Sequence, residues 1–144
     1  MTVSRSGYTD DFDNQWSLIC WRGAVAAGIR GKRGQAFLRE LAAVLDAMPE
    51  KRLIAQELAT ADGQVCALGS VAVARGLDVS KIDVTDYYQV SRELNIPRSL
   101  AQEIIFFNDD DWRQYDIDSD EKRWQVIRNW INENLIEWDE PAKS

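Results

Sequence analysis

The chain contains no histidine, and this absence excludes a large block of chemistry. It removes Ser-His-Asp and Cys-His nucleophile activation, His-ligated zinc and the usual neutral-pH general base. Cysteine is scarce: Cys20 and Cys66 stand too far apart for a Cys-x-x-Cys redox pair and supply too few sulfurs for zinc. Both sit among apolar neighbours, which predicts buried thiols in a reducing cytoplasm. With no set of soft ligands, neither a metal nor an organic cofactor is expected. No apolar run approaches the length of a membrane span. Met1 to Asp13 is polar and lacks the apolar centre of a secretory signal. The expected location is cytoplasmic.

What is present reads as globular. A chain of 144 residues with 45% hydrophobic and 28% charged residues can build one core without disulfides or metal. The net charge of −7 argues against nonspecific attraction of the whole molecule to nucleic acid or an anionic membrane, but leaves a local basic face open. Six tryptophans promise a core or a contact surface built on large amphipathic rings.

Helical periodicity recurs along the chain. Residues 1–13 read as a polar arm, with Asp13 as a helix N-cap. Trp16, Ile19, Cys20, Gly23 and Ala27 predict a helix from Asn14 to about Gly28. Phe37, Leu38, Leu41, Val44, Leu45 and Met48 predict a second over Gln35–Met48, stopped by Pro49. Lys51–Leu58 and Gln64–Leu68, flanking Thr60-Ala61-Asp62-Gly63, read as a hairpin because Asp-Gly favours a tight turn. Leu68–Arg75 reads as a short helix ending at Gly76. Helices over about Thr85–Leu94 and Arg98–Asn108 follow, broken at Asn95-Ile96-Pro97. Asp118-x-x-Glu121 resembles a capping box opening a last helix with Trp124, Ile127, Ile131 and Leu135 inward. The expected fold is mainly α: a compact helical single domain over residues 14–138 with at most one small β-hairpin at about 52–68, followed by a tail at 139–144.

The acids cluster in polar loops, where solvation keeps carboxylates ordinary and unsuited to acid–base catalysis. Asp116-x-Asp118-x-Asp120 invites comparison with a calcium loop. It fails where geometry is strictest, because the position that needs glycine is Glu121 and the one that needs a bidentate glutamate is Ile127.

Three local signals remain. From Asn14 to Arg39 the chain carries Arg22, Arg30, Lys32, Arg33 and Arg39 and no acid. Within that stretch, Gly31-Lys32-Arg33-Gly34 reads either as a phosphate-approaching turn or as a glycine cap with cations at a helix C-terminus. It resembles the GxxG loop of KH domains, a resemblance covering about residues 16–75 that implies backbone clamping of nucleic acid. Gln89–Ile104 resembles a helix-turn-helix, with Ser91, a tight turn at Asn95 and apolar anchors Leu94, Ile96, Leu100 and Ile104. That resemblance turns Arg98, Ser99 and Gln102 toward a major groove, whereas the plainer reading is a helical hairpin. Finally, Asp109, Asp110, Asp111, Trp112, Asp116, Asp118, Trp130 and Trp138 combine carboxylates and aromatics in the manner of a protein–protein contact surface. They read equally as core rings with a solvated loop.

Taken together, Trp21-Arg22-Gly23-Ala24-Val25, Gly31 through Leu41, Pro49-Glu50-Lys51-Arg52-Leu53-Ile54 and Val65-Cys66-Ala67-Leu68-Gly69 resemble a family of small tailed-phage and prophage proteins of unassigned function. The resemblance covers about residues 16–108 and, more loosely, the Trp-rich last helix. It implies a phage accessory protein acting in the cytoplasm of a bacterial host, and carries no catalytic residues across. Two functions are expected on these grounds. The first is a non-enzymatic protein that binds, and so inhibits or redirects, a host or phage protein, a nucleic-acid-binding one included, through the acidic, Trp-containing surface. The alternative is a nucleic-acid-binding accessory protein using Arg22, Arg30, Gly31, Lys32, Arg33 and Gly34.

Overall fold

The computed structural model describes residues 15–83, 85–109 and 117–136, with side chains from residue 22 onward, and six α-helices occur among these residues. They are α1 (Gln15–Arg30), α2 (Lys32–Ala47), α3 (Ala67–Ala74), α4 (Tyr87–Leu94), α5 (Arg98–Asp109) and α6 (Asp120–Asn134), with one turn of 3₁₀ helix at Val79–Lys81. The fold is mainly α, and no strand longer than an isolated bridge occurs among the described residues. The polar arm with its Asp13 cap and the tail at 139–144 lie outside those residues.

The helices form where apolar spacing and caps agree. On α2, Phe37, Leu38, Leu41 and Leu45 recur at i, i+1, i+4 and i+8 and are all buried, the stripe that one helix face presents to a core. α3 is too short to persist alone, and is held by burial from Ala67 through Ala72 and by Cys66, whose Sγ accepts from the Gly69 N–H at 3.3 Å. Gly76, at φ +77°, turns the chain off its end with a backbone angle that glycine tolerates best. Asp86 caps α4 by accepting from the Tyr88 and Gln89 N–H groups. Asn95 ends α4 in the left-handed region at φ 56°, a conformation asparagine adopts more readily than most residues.

α5 is the central helix: it packs against α1, α3, α4 and α6 and buries Leu100, Ala101, Ile104 and Ile105. One continuous core joins Val25 of α1 to Ile131 of α6. The cap of α6 is Ser119, one residue later than the expected Asp118, and its Oγ accepts from the Lys122 N–H at 3.0 Å. Asp120 lies inside the first turn, where its carboxylate also favours the positive end of the helix.

The hairpin contracts to a single antiparallel bridge between Ala59 and Val65. The Asp-Gly turn does form, with Gly63 at φ +88° and the Gly63 N–H donating to Thr60 O at 3.0 Å. Three backbone bonds still cross between the arms, from the Thr60 N–H to Gln64 O, the Cys66 N–H to Leu58 O and the Ile54 N–H to Val65 O, but other groups of the first arm are bonded elsewhere and no regular ladder forms. The Leu53 N–H donates to Asp120 O, and the Gln56 N–H, at a residue itself left-handed at φ 70°, donates to Asp109 Oδ1. On the other arm the chain enters α3 at Ala67, so Ala67 and Leu68 are helical rather than extended.

Candidate functional site

The basic stretch is not the open loop that the GxxG comparison implies. Only Gly31 separates α1 from α2, while Lys32, Arg33 and Gly34 form the first turn of α2. Gly34 is buried against α1: a Cβ there would stand 1.9 Å from Gly28 O and 2.9 Å from Ile29 O. It is a packing glycine, which withdraws it from the candidate phosphate contacts. Gly31 has an extended backbone (φ −69°, ψ 165°) open to any residue. A KH fold also needs a sheet beside its helices, and the described residues supply only the isolated bridge. The GxxG resemblance is therefore corrected, while the charges it drew attention to remain: Arg22, Arg30, Lys32 and Arg33 are all exposed. Arg30 serves α1 itself, its Nε donating to Ala26 O at 3.4 Å. Lys32 and Arg33 do not serve their own helix in this way: they open α2 at its positive end, where cations are disfavoured, and no acid sits in the first turn.

The helix-turn-helix comparison fares differently in its two halves. The turn at Asn95 and the anchors Leu94, Ile96, Leu100 and Ile104 are as expected, all four buried. The reading face is not available. Gln102 is 5% exposed, and the Ser99 Oγ donates to Ala24 O at 3.0 Å, because α1 lies across the start of α5. Of the three groove-facing residues Ser99 is half-buried and only Arg98 is exposed, with its guanidinium carbon 4.3 Å from the Tyr88 ring centre.

Folding brings these two sequence signals together. Arg33 Nη1 donates to Asn95 Oδ1 at 3.3 Å, so the first turn of α2 abuts the α4–α5 turn. α1 reaches the same place, with Gly28 against Ser99 and Pro97. The arginines then divide into two groups. Arg52, Arg75, Arg123 and Arg128 are ion-paired with Glu50, Asp120, Glu121, Glu40 or Asp46. Among the described residues, Arg22, Arg30, Arg33, Arg39, Arg92 and Arg98 meet no carboxylate. All six lie on α1, the first half of α2 and the α4–α5 hairpin. Lys32 and Arg39, seven residues apart, share one exposed stripe of α2.

Arg75 fixes the edge of this surface. It donates to both oxygens of Glu40 and, through Nη1, to Leu94 O at 2.9 Å. The Arg75 hydrogen bonds hold the Glu40 carboxyl below its ordinary value of 4.5, against a smaller opposing effect of burial. A lowered folded-state value means that the contribution is present above pH 4.5 and disappears as pH falls through the folded value. Glu40→Gln is therefore expected to cost less than about 1 kcal/mol near neutrality, because the pair is partly solvated, and nothing once the carboxyl is protonated. Urea midpoints of the two proteins that fail to converge at acid pH would contradict this.

The acidic surface is altered by the fold. Trp130 is only 7% exposed and packs on Phe107, ring centres 5.4 Å apart, which corrects its assignment to a contact surface. It follows Ile127 by three residues and precedes Ile131 by one, so it shares their inward stripe. Asp109 is half-buried and accepts from the Gln56 N–H and Asn108 Nδ2. Asp118 is exposed, and the neighbouring Asp120 is engaged by Arg123 and Arg52. Asp110, Asp111, Trp112, Asp116 and Trp138 lie outside the described residues. No group of three or more potential metal ligands occurs among the described residues, and none of the helices described is long and apolar enough to cross a membrane.

Sequence reasoning missed Asn95 as a partner of the basic turn, and with it the exposed Tyr88 and Arg92 on the same helix. Their only signal is spacing, since residues 88, 92 and 95 lie at i, i+4 and i+7 of one helix face. No family model, curated protein or solved structure matches this chain.

Proposed function

We propose that this chain is a non-enzymatic accessory protein that binds nucleic acid through the basic surface where α1, the first turn of α2 and the α4–α5 hairpin meet. The observation that carries the reading is the division of the arginines among the described residues: Arg52, Arg75, Arg123 and Arg128 are neutralised by carboxylates, and those on this surface are not. In a chain of net charge −7, a cluster of cations held in no ion pair makes a surface that attracts phosphate while the remainder repels it. Arg22, Lys32, Arg33, Arg39, Arg92 and Arg98 are the contacts, with Arg30 at the margin. The whole-chain lack of histidine supports binding rather than catalysis. The resemblance to tailed-phage proteins fits an accessory role in a bacterial host.

The reading through an acidic, Trp-containing surface has less support. Of its named contacts, Trp130 is core and Asp109 is tied to the 51–66 segment, leaving Asp118 as the one exposed member among the described residues.

The test is fluorescence anisotropy with labelled DNA and RNA across a salt series. Wild-type binding should weaken linearly on a log–log salt plot. Lys32→Ala/Arg33→Ala should reduce the slope by roughly two, about 0.9 for each phosphate no longer neutralised, and affinity at low salt by about tenfold or more. Binding with an unchanged slope in the double variant, or no binding by wild type, would remove this reading.

A further inference from the structure

Resting on that reading, we infer that the surface is built for single-stranded nucleic acid, with a base stacked at the Tyr88–Arg98 pair and the backbone running along α4 toward Arg33. Tyr88 is 46% exposed, one of three large hydrophobic side chains so exposed among the described residues. It does not project alone. The Tyr87 ring, itself packed against the core, stacks on it at 4.8 Å with planes 24° apart, and the Arg98 guanidinium lies over it at 4.3 Å. The result is a short column made of a ring packed against the core, an exposed ring and an exposed cation beside it. Nucleobases stack on aromatic rings and on guanidinium planes alike, whatever the base. A cation placed on the column also meets the adjoining phosphate.

The helix extends the site in one direction. Arg92 follows Tyr88 by one turn on the same face, and Asn95 follows by nearly two. Asn95 in turn holds Arg33, so the column, an arginine and the basic first turn of α2 fall in a line. The acids nearby do not interrupt it. Asp83 and Asp86 precede α4, at the end of the line away from Arg92 and Arg33, where they accept from Thr85 and from the Tyr88 and Gln89 N–H groups. Glu40 is neutralised by Arg75, and Glu93 stands about 100° round α4 from Arg92.

A duplex keeps its base faces inside the stack and offers only phosphates, so it cannot use the column. It is also rigid, and its extended charge would run past the basic patch onto an otherwise acidic molecule. A flexible strand can follow the patch and stop at its edge.

The experiment compares a short labelled oligothymidylate with a duplex of equal length at low salt, using the full chain. Wild type should favour the single strand. Tyr88→Ala should weaken single-strand binding by about tenfold, the effect of losing one stacked base, and leave any duplex binding unchanged. Tyr88→Phe, which keeps the ring, should bind like wild type. Thermal melts of these surface variants should match wild type, separating impaired binding from impaired folding. Equal affinity for the two probes, or full single-strand binding by Tyr88→Ala, would overturn the inference. If Lys32→Ala/Arg33→Ala still weakens binding in that case, the broader nucleic-acid reading survives. No binding to either probe overturns both.

Discussion

Gly34→Ala is expected to destabilise the protein by roughly 3 kcal/mol, at the upper end of what overpacking costs, and so to leave little folded protein at moderate temperature. The added Cβ would be 1.9 Å from Gly28 O and 2.9 Å from Ile29 O, with Gly28 C at 3.0 Å. Every one of those neighbours is backbone. A flexible side chain could rotate away, but here α2 must move off α1 bodily, and the buried Gln35 holds the two together. Gln35 Nε2 donates to Ile29 O at 2.8 Å and to Asn134 O at 3.0 Å, while its Oε1 accepts from the Ile136 N–H at 2.9 Å. Displacing α2 would therefore also disturb the end of α6. Gly23→Ala supplies the control. Nothing lies within 4 Å of a Cβ there, and replacing an exposed glycine inside a helix should stabilise by up to about 1 kcal/mol. Denaturant unfolding of both variants checks the pair: similar stabilities would mean that α1 and α2 do not approach as closely as described. The comparison also bears on the GKRG turn, because a phosphate-clamping Gly34 would lose binding on substitution and keep stability, whereas a packing glycine loses stability first.

Asn108→Ala is expected to cost about 3 kcal/mol through hydrogen bonds left unmade, taking roughly 1–3 kcal/mol for each buried group stranded. Asn108 is 1% exposed and ties three segments together. Its Oδ1 accepts from the Ala67 N–H at 3.1 Å, and its Nδ2 donates to Ile54 O at 2.9 Å and to Asp109 Oδ1 at 2.8 Å. Its own carbonyl accepts from Arg123 Nε at 2.7 Å. The irregular segment from Lys51 to Cys66 has only one bridge of its own, so much of its anchoring comes from this amide and from Arg123, whose Nη1 also donates to Leu53 O at 3.1 Å. Alanine would strand the Ala67 N–H at the start of α3 together with Ile54 O. Asn108→Asp should be no better, since it keeps the acceptor, loses the donor and sets a second carboxylate beside Asp109. Equilibrium unfolding in urea measures both. A loss below about 1 kcal/mol for alanine would show that water replaces the amide without penalty.

The helices are legible because their signals are local. The stripe Phe37, Leu38, Leu41, Leu45 and the stop at Pro49 need only the 3.6-residue period and the missing proline N–H. α2 nonetheless begins at Lys32 rather than Gln35, because nothing in a short glycine-basic run distinguishes a turn from a first helical turn. The segment at 51–66 reads as strands from its composition and Asp-Gly turn. It stops short of a sheet because the Leu53 and Gln56 N–H groups and Ile54 O are taken by Asp120, Asp109 and Asn108, partners that lie far along the chain.

By itself, the sequence determined the helical architecture, the turn at Asn95, the buried Cys66 and the exclusion of histidine chemistry, all of which depend on residue type or on neighbours within a turn or two. Only the tertiary structure decided which charges stay unneutralised. Arg75 finds Glu40 at a separation of 35 residues, and Arg33 finds Asn95 at 62, distances over which no periodicity carries information. The same packing turned Trp130 and Gln102 inward and left Tyr88 outward under Arg98. A helix specifies its own faces through its apolar spacing, but which polar residues meet across helices is fixed only when the faces are buried against one another.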